Sequence, residues 1–301
     1  MSRNAPCWRP SRTNRSRALP QAAALAVTCY VLPAIAGANA LECTQWQSRH
    51  PSWLWCDDFE SDRDLEKNYF DVNRANGRLA VVTDAAYGGT HSLRNAYMTG
   101  MEDSGNIKLS IGNTPVHPTR YINRNFDDLY WRFYLMTDAG WVGQPMKVTR
   151  ATIIAGSNWS QAAIGHLWED DRLGLGLDPA SGVLGSTVVT TRWNDFANLH
   201  WLGKANGRAQ VYAPENRGRW QCIEVHMQLN EPGRADGTFE FWVDGVPQAR
   251  KSNLDWRGHY TTYGINTITL EGWVNGGPPR NQNRYFDNFV VSTARIGCAE
   301  D

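Results

Sequence analysis

Beyond its first 40 residues the sequence lacks a long uninterrupted apolar run, so no membrane-spanning helix is predicted there. It also lacks any cysteine and histidine spacing typical of zinc sites. Residues 1–40 contain five arginines and no acidic side chain, and then a short apolar stretch that two prolines interrupt. They end in Ala38-Asn39-Ala40, which is typical of a signal-peptide cleavage site. We therefore predict a signal peptide over 1–40, a secreted or periplasmic mature chain that begins at Leu41, and no stable membrane span.

Charge and composition exclude further classes of protein. Removing the five arginines of the leader from the 30 basic residues leaves 25 against 30 acidic ones, a balance of −5. No basic stripe is present, which argues against a nucleic-acid partner. No Pro/Ser-rich linker, block of like charge or internal repeat divides the remaining chain, so we predict a single domain over residues 41–301. We expect this domain to be a monomer.

The cysteines that follow the leader predict disulfides. There are four of them, Cys43, Cys56, Cys222 and Cys298. An even number of cysteines in an exported chain is typical of disulfide bonding. Three pairings are open. We favour Cys43–Cys56, which closes a local loop, together with Cys222–Cys298, which ties the central hairpin to the C-terminal end.

The clearest pattern that is present is strict alternation in two neighbouring segments, residues 220–230 and 238–245. Apolar side chains take one face of each segment, and these are Ile223, Val225, Met227, Leu229, Phe239, Phe241 and Val243. A period of two is typical of half-buried antiparallel strands. Residues 231–237 supply proline, glycine and aspartate for a turn, so we predict a β-hairpin with one open polar face.

Strand-like runs recur along the rest of the chain, whereas helical periodicity hardly occurs. Residues 129–136 alternate as cleanly as the hairpin, and further strands are predicted at 147–155, 161–168, 172–177, 183–190, 265–273 and 285–291. Many short strands with turn residues between them predict an all-β, two-sheet antiparallel β-sandwich. We expect the first strand, near residue 57, to pair with the last, near residue 287.

Three segments carry a family resemblance. CDDFES at 56–61, W-x-C-x-E-x-H at 220–226 with FEFWVDG at 239–245, and YFDNFVVS at 285–292 resemble the concanavalin A-like jelly-roll superfamily. Within it they are most similar to the polysaccharide-lyase-like branch that includes alginate, glucuronan and heparin lyases. The resemblance spans most of residues 55–298. It implies a jelly roll and a lyase that cleaves an acidic, uronate-containing polysaccharide.

The resemblance also implies a set of roles. In β-elimination one group neutralises the uronate carboxylate, a base removes the C5 proton, and an acid protonates the leaving oxygen. Alginate lyases of this branch use an arginine, a Gln-x-His pair and a tyrosine near the C-terminal end. In this sequence Arg132 lies on a matching strand and His166 stands at the place of Gln-x-His, but the glutamine and the C-terminal Tyr-x-Lys-x-Gly pattern are absent.

In the resulting assignment Arg132 neutralises the uronate carboxylate, His166 or His226 is the base, and Tyr134 is the acid. Glu224 is placed beside them as a further catalytic candidate. Replacements for the missing tyrosine and amide are drawn from Tyr134, Tyr263, Asn158 and Gln144. We expect the outward-facing side chains to share one concave face, and they are Tyr130, Arg132, Tyr134, His166, Trp168, Glu224, His226, Gln228, Glu240, Trp242, Glu271 and Trp273.

Substrate binding is predicted from aromatic and polar groups on that face. Trp168, Trp242 and Trp273 are the candidate platforms for sugar rings, because indole faces pack well against apolar surfaces. Further substrate contacts are assigned to Gln228, Glu240, Lys147 and Arg150. The two cations would reach an acidic substrate.

Two other functions remain open at this point. A non-catalytic carbohydrate-binding or adhesion module would need the tryptophans but not the histidines. A glycoside hydrolase could use Glu224 and Glu240 as paired carboxylates, although the E-x-D-x-x-E pattern of jelly-roll glucanases does not occur. No cofactor is required for any of these functions. Asp58, Glu60 and Asp287 could share a structural calcium where the terminal strands meet, because oxygen ligands suit calcium.

Overall fold

Strands dominate the computed structural model, which describes residues 41–61, 64–117 and 120–299. The predicted signal peptide lies outside the described residues. Two short α-helices are present in the described residues, α1 (Trp46–Arg49) and α2 (Leu65–Asn68). The strands are β1 (Trp53–Asp57), β2 (Asp71–Asn73), β3 (Leu79–Val82), β4 (Ser92–Tyr97), β5 (Asp103–Ser110), β6 (Asp128–Thr137), β7 (Met146–Ile154), β8 (Gln161–Glu169), β9 (Leu175–Ser181), β10 (Val183–Leu184), β11 (Thr187–Val188), β12 (His200–Trp201), β13 (Ala205–Asn206), β14 (Gln221–Gln228), β15 (Gly237–Val243), β16 (Val246–Leu254), β17 (Thr267–Val274) and β18 (Gln282–Ser292).

Two large antiparallel sheets pack face to face. Sheet A has the strand order β16-β15-β14-β6-β18-β4-β3, with β1 paired to β18. Sheet B has the order β12-β9-β8-β7-β17-β5-β2, with β13 paired to β9. The predicted all-β, two-sheet sandwich is therefore confirmed. The described residues all belong to one compact unit, and they include no helix of the length and apolar character that a membrane crossing requires.

The predicted hairpin lies in the middle of sheet A. In it β14 pairs with β15, with Val225 opposite Phe241, and β14 pairs on its other side with β6. The apolar faces of these strands point into the space between the sheets and are almost fully buried. The first and last strands also pair as predicted, with Cys56 opposite Val290.

The core lies between the two sheets and is closely packed. Trp131 of β6 is fully buried and donates a hydrogen bond from Nε1 to Thr149 Oγ1 of β7 at 3.0 Å, so it contacts both layers. Gly165 of β8 allows the sheets to approach, since a Cβ there would lie 3.0 Å from the Met227 sulfur and 3.1 Å from the Phe239 ring. Each apolar side chain buried in this way stabilises the fold by about 1.5–3 kcal/mol.

Both predicted disulfides are present. Cys43 pairs with Cys56, and Cys222 pairs with Cys298. They connect the segment before β1 and the segment after β18 to sheet A. One strand prediction was wrong: residues 183–190 form the small β10–β11 hairpin, because Gly185 turns the chain with a φ of +65°.

Candidate functional site

The predicted site residues do not share one face. Those on β6, β14 and β15 lie on the outer face of sheet A, and they are Tyr130, Arg132, Tyr134, Glu224, His226, Gln228, Glu240 and Trp242. Those on β7, β8 and β17 lie on the outer face of sheet B, and they are Lys147, Arg150, His166, Trp168, Glu271 and Trp273. The prediction of a single shared face was wrong, because alternation separates inward from outward positions but does not assign a strand to a sheet.

Arg132 is enclosed on the sheet A face. Its side chain is fully buried, and its two terminal nitrogens bind both carboxylate oxygens of Glu42, with Nη1 2.9 Å from Oε2. Asn288 donates to the same Glu42 carboxylate at 2.8 Å. The guanidinium therefore already has a bidentate carboxylate partner from the segment that Cys43 fastens to β1, and no face is left for a substrate carboxylate.

Tyr134 and Glu224 are held by the C-terminal segment. The Tyr134 hydroxyl accepts a hydrogen bond from the Ala299 amide at 2.7 Å, and burial raises the pKa of this phenol. The Glu224 carboxylate accepts from the backbone amides of Ile296 at 2.6 Å and Gly297 at 3.2 Å. Both side chains thus act as attachment points for the chain that follows β18.

His226 lies between two carboxylates. Its Nε2 is 2.7 Å from Asp128 Oδ1 and its Nδ1 is 2.9 Å from Glu240 Oε1, while its ring stacks on Tyr130 at 3.9 Å. Glu240 also binds Arg250 at 3.3 Å. Both ring nitrogens therefore have partners within sheet A.

The remaining predicted substrate contacts of sheet A make similar internal pairs. Trp242 is 7% exposed and lies beneath the Arg295 guanidinium, 4.5 Å from the ring centroid. Gln228 is exposed at the end of β14, with its amide 3.5 Å from Asp128. A cavity of about 530 Å³ also lies beside this face. Of its charged lining residues, Glu42 and Arg295 form ion pairs, and Arg49 donates to the Thr44 carbonyl at 3.2 Å. Its size alone does not make it a candidate site.

The three predicted calcium ligands bind protein groups. Glu60 accepts hydrogen bonds from Thr90 and His91, and Asp287 accepts from the amide of Tyr87 at 2.7 Å. Asp58 accepts from the amide of Glu60 at 3.3 Å. The described residues contain no group of three or more His, Cys, Asp or Glu that could hold a metal ion. These oxygens are thus used as hydrogen-bond acceptors, and a calcium site has no geometric support.

A groove crosses the outer face of sheet B. Three adjoining cavities of about 200, 290 and 360 Å³ form it. The first two share Lys147, Asn194 and Trp273, and the second and third share Trp168 and Asn275. We refer to these joined cavities as the sheet B groove. It runs over β17, β7, β8 and β9, and aromatic side chains line much of it.

Arg150 of β7 lies beneath the groove with four partners. Its Nη1 donates to Asn194 Oδ1 at 2.7 Å and its Nη2 to Glu271 Oε2 at 3.1 Å. The guanidinium carbon is 4.0 Å from the Trp193 ring centroid, and Nη1 is 3.1 Å from His166 Nε2. The arginine is only 1% exposed. Its charge is balanced by Glu271.

His166 is buried beside Arg150, which it faces across the β7–β8 pair. Burial lowers the pKa of this imidazole well below its usual value, and the positive charges of Arg150 and Lys147 act in the same direction. The ring is therefore neutral near pH 7, and its Nε2 lone pair accepts the hydrogen bond from Arg150. Because that lone pair is occupied and the side chain is fully buried, His166 orients Arg150 in the described structure.

Lys147 of β7 differs from the other cations of this face. It is 5% exposed, and its Nζ lies 5.8 Å from the Trp168 ring centroid, 5.6 Å from Phe196 and 5.8 Å from Trp273. Such distances permit cation–π attraction. With the described residues its Nζ makes no hydrogen bond and no ion pair. Burial lowers the pKa of this amine, against the opposing effect of the nearby Glu271 carboxylate.

Arg284 supports the groove from inside the sandwich. It belongs to β18 of sheet A, is fully buried, and donates from Nη2 to the carbonyl oxygens of Lys147, at 3.0 Å, and Glu271 in sheet B. Both acceptor strands are irregular there, with register shifts between Lys147 and Thr149 and between Glu271 and Trp273. A bulge re-aims the neighbouring side chains, so Arg284 helps to fix the direction of Lys147 and Glu271.

Sequence reasoning missed the loop at 190–199, which forms one wall of the groove. It supplies Trp193, Asn194 and Phe196. Asn194 has a left-handed backbone, with a φ of 55°, and its amide donates to Gln161 at 2.7 Å. The loop has no strand alternation, so periodicity could not find it. The available signal was a pair of aromatic residues among asparagines and aspartates.

The proposed replacement residues do not enter the groove as catalytic groups. The Asn158 amide donates to the Thr191 carbonyl at 3.0 Å, and the Gln144 amide donates to Gly277 at 2.8 Å. Tyr263 packs against the hydrophobic core. Among the residues that line the described groove there is no tyrosine.

Comparisons with known proteins identify structural relatives. No protein-family model matches the sequence, and no curated protein matches it. The endo-β-1,4-glucuronan lyase of the fungus Trichoderma reesei superposes with a TM-score of 0.56 at 13% identity, over 80% of this chain and 96% of that one. Alginate lyase vAL-1 from Chlorella virus gives 0.57 at 12% identity, over 80% and 99%. The PL-14 alginate lyase of Aplysia kurodai gives 0.56 at 12% identity, also over 80% and 99%.

These similarities define the fold. Each covers nearly the whole of the other protein and most of this chain. The chain therefore has a polysaccharide-lyase-like jelly-roll fold, as the resemblance in its sequence predicts. A fold of this kind can serve more than one activity, so function has to be argued from the groove.

Proposed function

We propose that this protein binds a uronate-containing polysaccharide in the sheet B groove and cleaves it by β-elimination. The observation that carries the proposal is Lys147, a mostly buried lysine whose amine has no polar partner among the described residues and has aromatic rings around it. A buried lysine that lacks a counter-ion is costly unless a ligand supplies one. The polysaccharide-lyase-like fold and the tryptophans of the groove support a sugar chain as that ligand.

The groove offers the groups that the first half of the reaction needs. A uronate carboxylate near Arg150 and Asn194 would meet a guanidinium fork and an amide, which suit its planar geometry. Neutralising this carboxylate acidifies the C5 proton, because the charge that develops beside it is stabilised. Arg150 would have to share its charge between the substrate and Glu271, its present partner.

Lys147 completes the reaction. Its lowered pKa increases the fraction of neutral amine near pH 7, and a neutral amine is a competent base. The amine takes the C5 proton, the C5–H electron pair forms the C4=C5 double bond, and the C4–O4 bond breaks. The ammonium then returns the proton to O4 of the leaving sugar. One lysine thus serves as base and as acid, which accounts for a groove without a lining tyrosine.

This assignment replaces the roles that the resemblance implied for Arg132, Tyr134 and His226. These side chains belong to the other outer face and are already paired, so they cannot reach the sugar that contacts Lys147. The same holds for Glu224 and Glu240 as a hydrolytic pair. His166 is retained as a positioning residue for Arg150.

The test combines cleavage and binding for two substitutions of one residue. Wild-type protein is incubated with glucuronate, mannuronate and hexuronate–hexosamine polymers, and the ultraviolet absorbance of the unsaturated product is followed. Lys147→Arg keeps the positive charge but stays protonated, so we expect it to bind and not to cleave. Lys147→Met removes both properties. Lys251→Met, on β16 at the edge of sheet A, is the matched control and should behave as wild type.

The outcomes separate the parts of the proposal. Cleavage by wild type and its loss with retained binding in Lys147→Arg support a catalytic amine. Full cleavage by Lys147→Arg would show that the residue acts only through its charge. Absence of unsaturated product from every uronate polymer would reject β-elimination.

A non-catalytic carbohydrate-binding module is the second candidate, and one observation favours it. The lining of the described groove has aromatic faces in abundance but no tyrosine hydroxyl, and the Nε2 of His166 is occupied. This candidate predicts tight binding of a uronate oligosaccharide by wild type with no product at any pH. Calorimetry and the absorbance assay on one protein sample distinguish the two.

A further inference from the structure

The charge pattern along the sheet B groove limits which acidic polysaccharide fits it. Of the cations that line the groove, Arg150 is paired with Glu271 at 3.1 Å and Lys204 faces Asp178 at 3.6 Å. Among the described residues only Lys147 lines it without an acidic partner. The groove therefore has one cationic side chain that no carboxylate pairs with directly, at a single position.

Carboxylates also line the groove around that position. Glu102 lines the same cavity as Lys147. The adjoining cavity, which shares Trp168, is lined by Asp171 and by Asp178, the partner of Lys204, and one buried oxygen of Asp178 has no hydrogen-bond partner. Like charges at neighbouring positions repel, so a second sugar that carries its own carboxylate is disfavoured beside these groups.

Aromatic faces occupy the positions next to the lysine. Trp168 lies on β8 and Trp273 on β17, the two strands on either side of β7. The ring centroids of both lie 5.8 Å from the Lys147 amine. Indole faces suit the apolar sides of uncharged sugar rings, and they also attract a cationic amine. A protonated amino sugar would in addition find the carboxylates of Glu102 or Asp171.

We propose that the substrate is a copolymer in which a uronate is flanked by uncharged or amino sugars, and that a homopolymer of uronate is a poor ligand. This inference rests on the proposed function, since it assigns the substrate class to the same groove. The uronate carboxylate lies against Arg150 and Asn194 with its C5 proton towards Lys147, and the neighbouring sugars lie against the tryptophans, within reach of the groove carboxylates.

Three probes of equal length test the inference by calorimetry. They are an oligomer of glucuronate, an alternating oligomer of glucuronate and N-acetylglucosamine, and the same alternating oligomer with its amines free. Binding is measured on the Lys147→Arg variant, which retains the charge. At low salt we expect the alternating oligomer to bind about 10-fold more tightly than the homopolymer, and the free-amine form more tightly still. The difference should shrink as salt screens the flanking charges.

A charge-removal variant gives the matched comparison. Glu102→Gln combined with Asp171→Asn should reduce the preference for the alternating oligomer to about threefold or less, because it removes repulsion that only the homopolymer meets. Glu215→Gln combined with Glu231→Gln removes two exposed acids that line none of the groove cavities, and it should leave the preference at its original value.

Two results would overturn the inference in distinguishable ways. Equal or tighter binding of the homopolymer at low salt rejects the substrate class and leaves the proposed function intact. Failure of all three probes to bind the variant and the wild type rejects the proposed function as well.

Discussion

The two outer faces of the sandwich carry similar side chains and use them differently. On sheet A, Arg132, Glu224 and His226 each find partners within the chain. The segments before β1 and after β18 supply those of Arg132 and Glu224, and Asp128 and Glu240 of the sheet supply those of His226. On sheet B, Lys147 has aromatic neighbours but no polar partner among the described residues, and a groove gives access to it. A charged residue on a sheet becomes a candidate for function when its partners are missing from the protein.

The difference also shows what the disulfides do. Cys43–Cys56 fixes the segment that carries Glu42, and Cys222–Cys298 fixes the segment that binds Tyr134 and Glu224. Both bonds therefore serve the covered face. Substitutions on sheet A should change stability, whereas substitutions in the groove should change binding.

Among the substitutions, removing the long-range disulfide should cost the most stability. Cys222 and Cys298 are 76 residues apart, and closing a loop of that length lowers the entropy of the unfolded chain enough to stabilise the fold by about 4 kcal/mol. Cys222→Ala combined with Cys298→Ala should lose this amount in urea unfolding, while the folded fraction keeps its affinity for a uronate oligosaccharide. Loss of binding by protein that is still folded would mean that the covered face contributes to the site.

Glu42→Ala should be the next most harmful change. It leaves the fully buried Arg132 guanidinium without its carboxylate, and an uncompensated buried charge costs about 3 kcal/mol. The control is Glu66→Ala, which breaks the exposed Glu66–Arg74 pair and should cost less than about 1 kcal/mol. Equal effects of the two substitutions on the free energy of unfolding would show that Arg132 does not depend on Glu42.

The covered face should also make stability depend on pH. Burial raises the pKa of Asp287 to about 8, and the neighbouring Asp58 carboxyl adds to the shift. The pKa of this carboxyl is about 4 in the unfolded chain and about 8 in the folded protein. At pH values between the two, the native protein holds one proton more than the unfolded chain, so its stability falls as pH rises, by about 1.4 kcal/mol per pH unit. The protonated Asp287 therefore makes its full contribution to stability below about pH 4, and this contribution is lost by about pH 8.

Asp287→Asn removes this titration and should flatten the decline in urea unfolding measured from pH 5 to 8. A slope of the same sign should remain from Glu169, because burial also raises the pKa of that carboxyl well above its usual value. Glu169→Gln should reduce the remainder. An unchanged slope in both variants would locate the pH dependence elsewhere.

The smallest effect concerns two tryptophans on opposite faces. Trp168→Ala removes an aromatic wall of the groove and should weaken oligosaccharide binding by about 1 kcal/mol, or about fivefold. Trp242→Ala, beneath Arg295 on sheet A, should leave that affinity unchanged and lower stability instead. The comparison between the faces breaks down if the two substitutions exchange these effects.

The sequence predicted the architecture well because alternation reports burial directly. Alternation predicted the hairpin of β14 and β15. The strand-like segments at the two ends predicted the pairing of the terminal strands, and the even number of cysteines predicted the disulfides. The site was predicted less well. Nothing in the pattern of Arg132 and Arg150 distinguishes them, since each is a cation on the outer side of a strand, and only the tertiary structure assigns Glu42 to one and a groove to the other.

The loop at 190–199 is a second part of the site that the sequence pattern could not predict. Trp193 and Phe196 have no periodic context, and their contribution depends on the Asn194 backbone and on contacts with Gln161 and Arg150. Such contacts join residues that are distant in sequence. A single sequence contains no signal for them beyond the presence of aromatic residues in a loop.

Amide hydrogen exchange with and without a uronate-containing oligosaccharide tests most directly whether the groove is the functional face. We predict slower exchange in the ligand-bound protein at residues 170–174, 190–199 and 275–277, which border the groove, and no change at 41–52 and 293–299, which cover sheet A. Slower exchange in the two covering segments, with none around the groove, would contradict the assignment of function to sheet B.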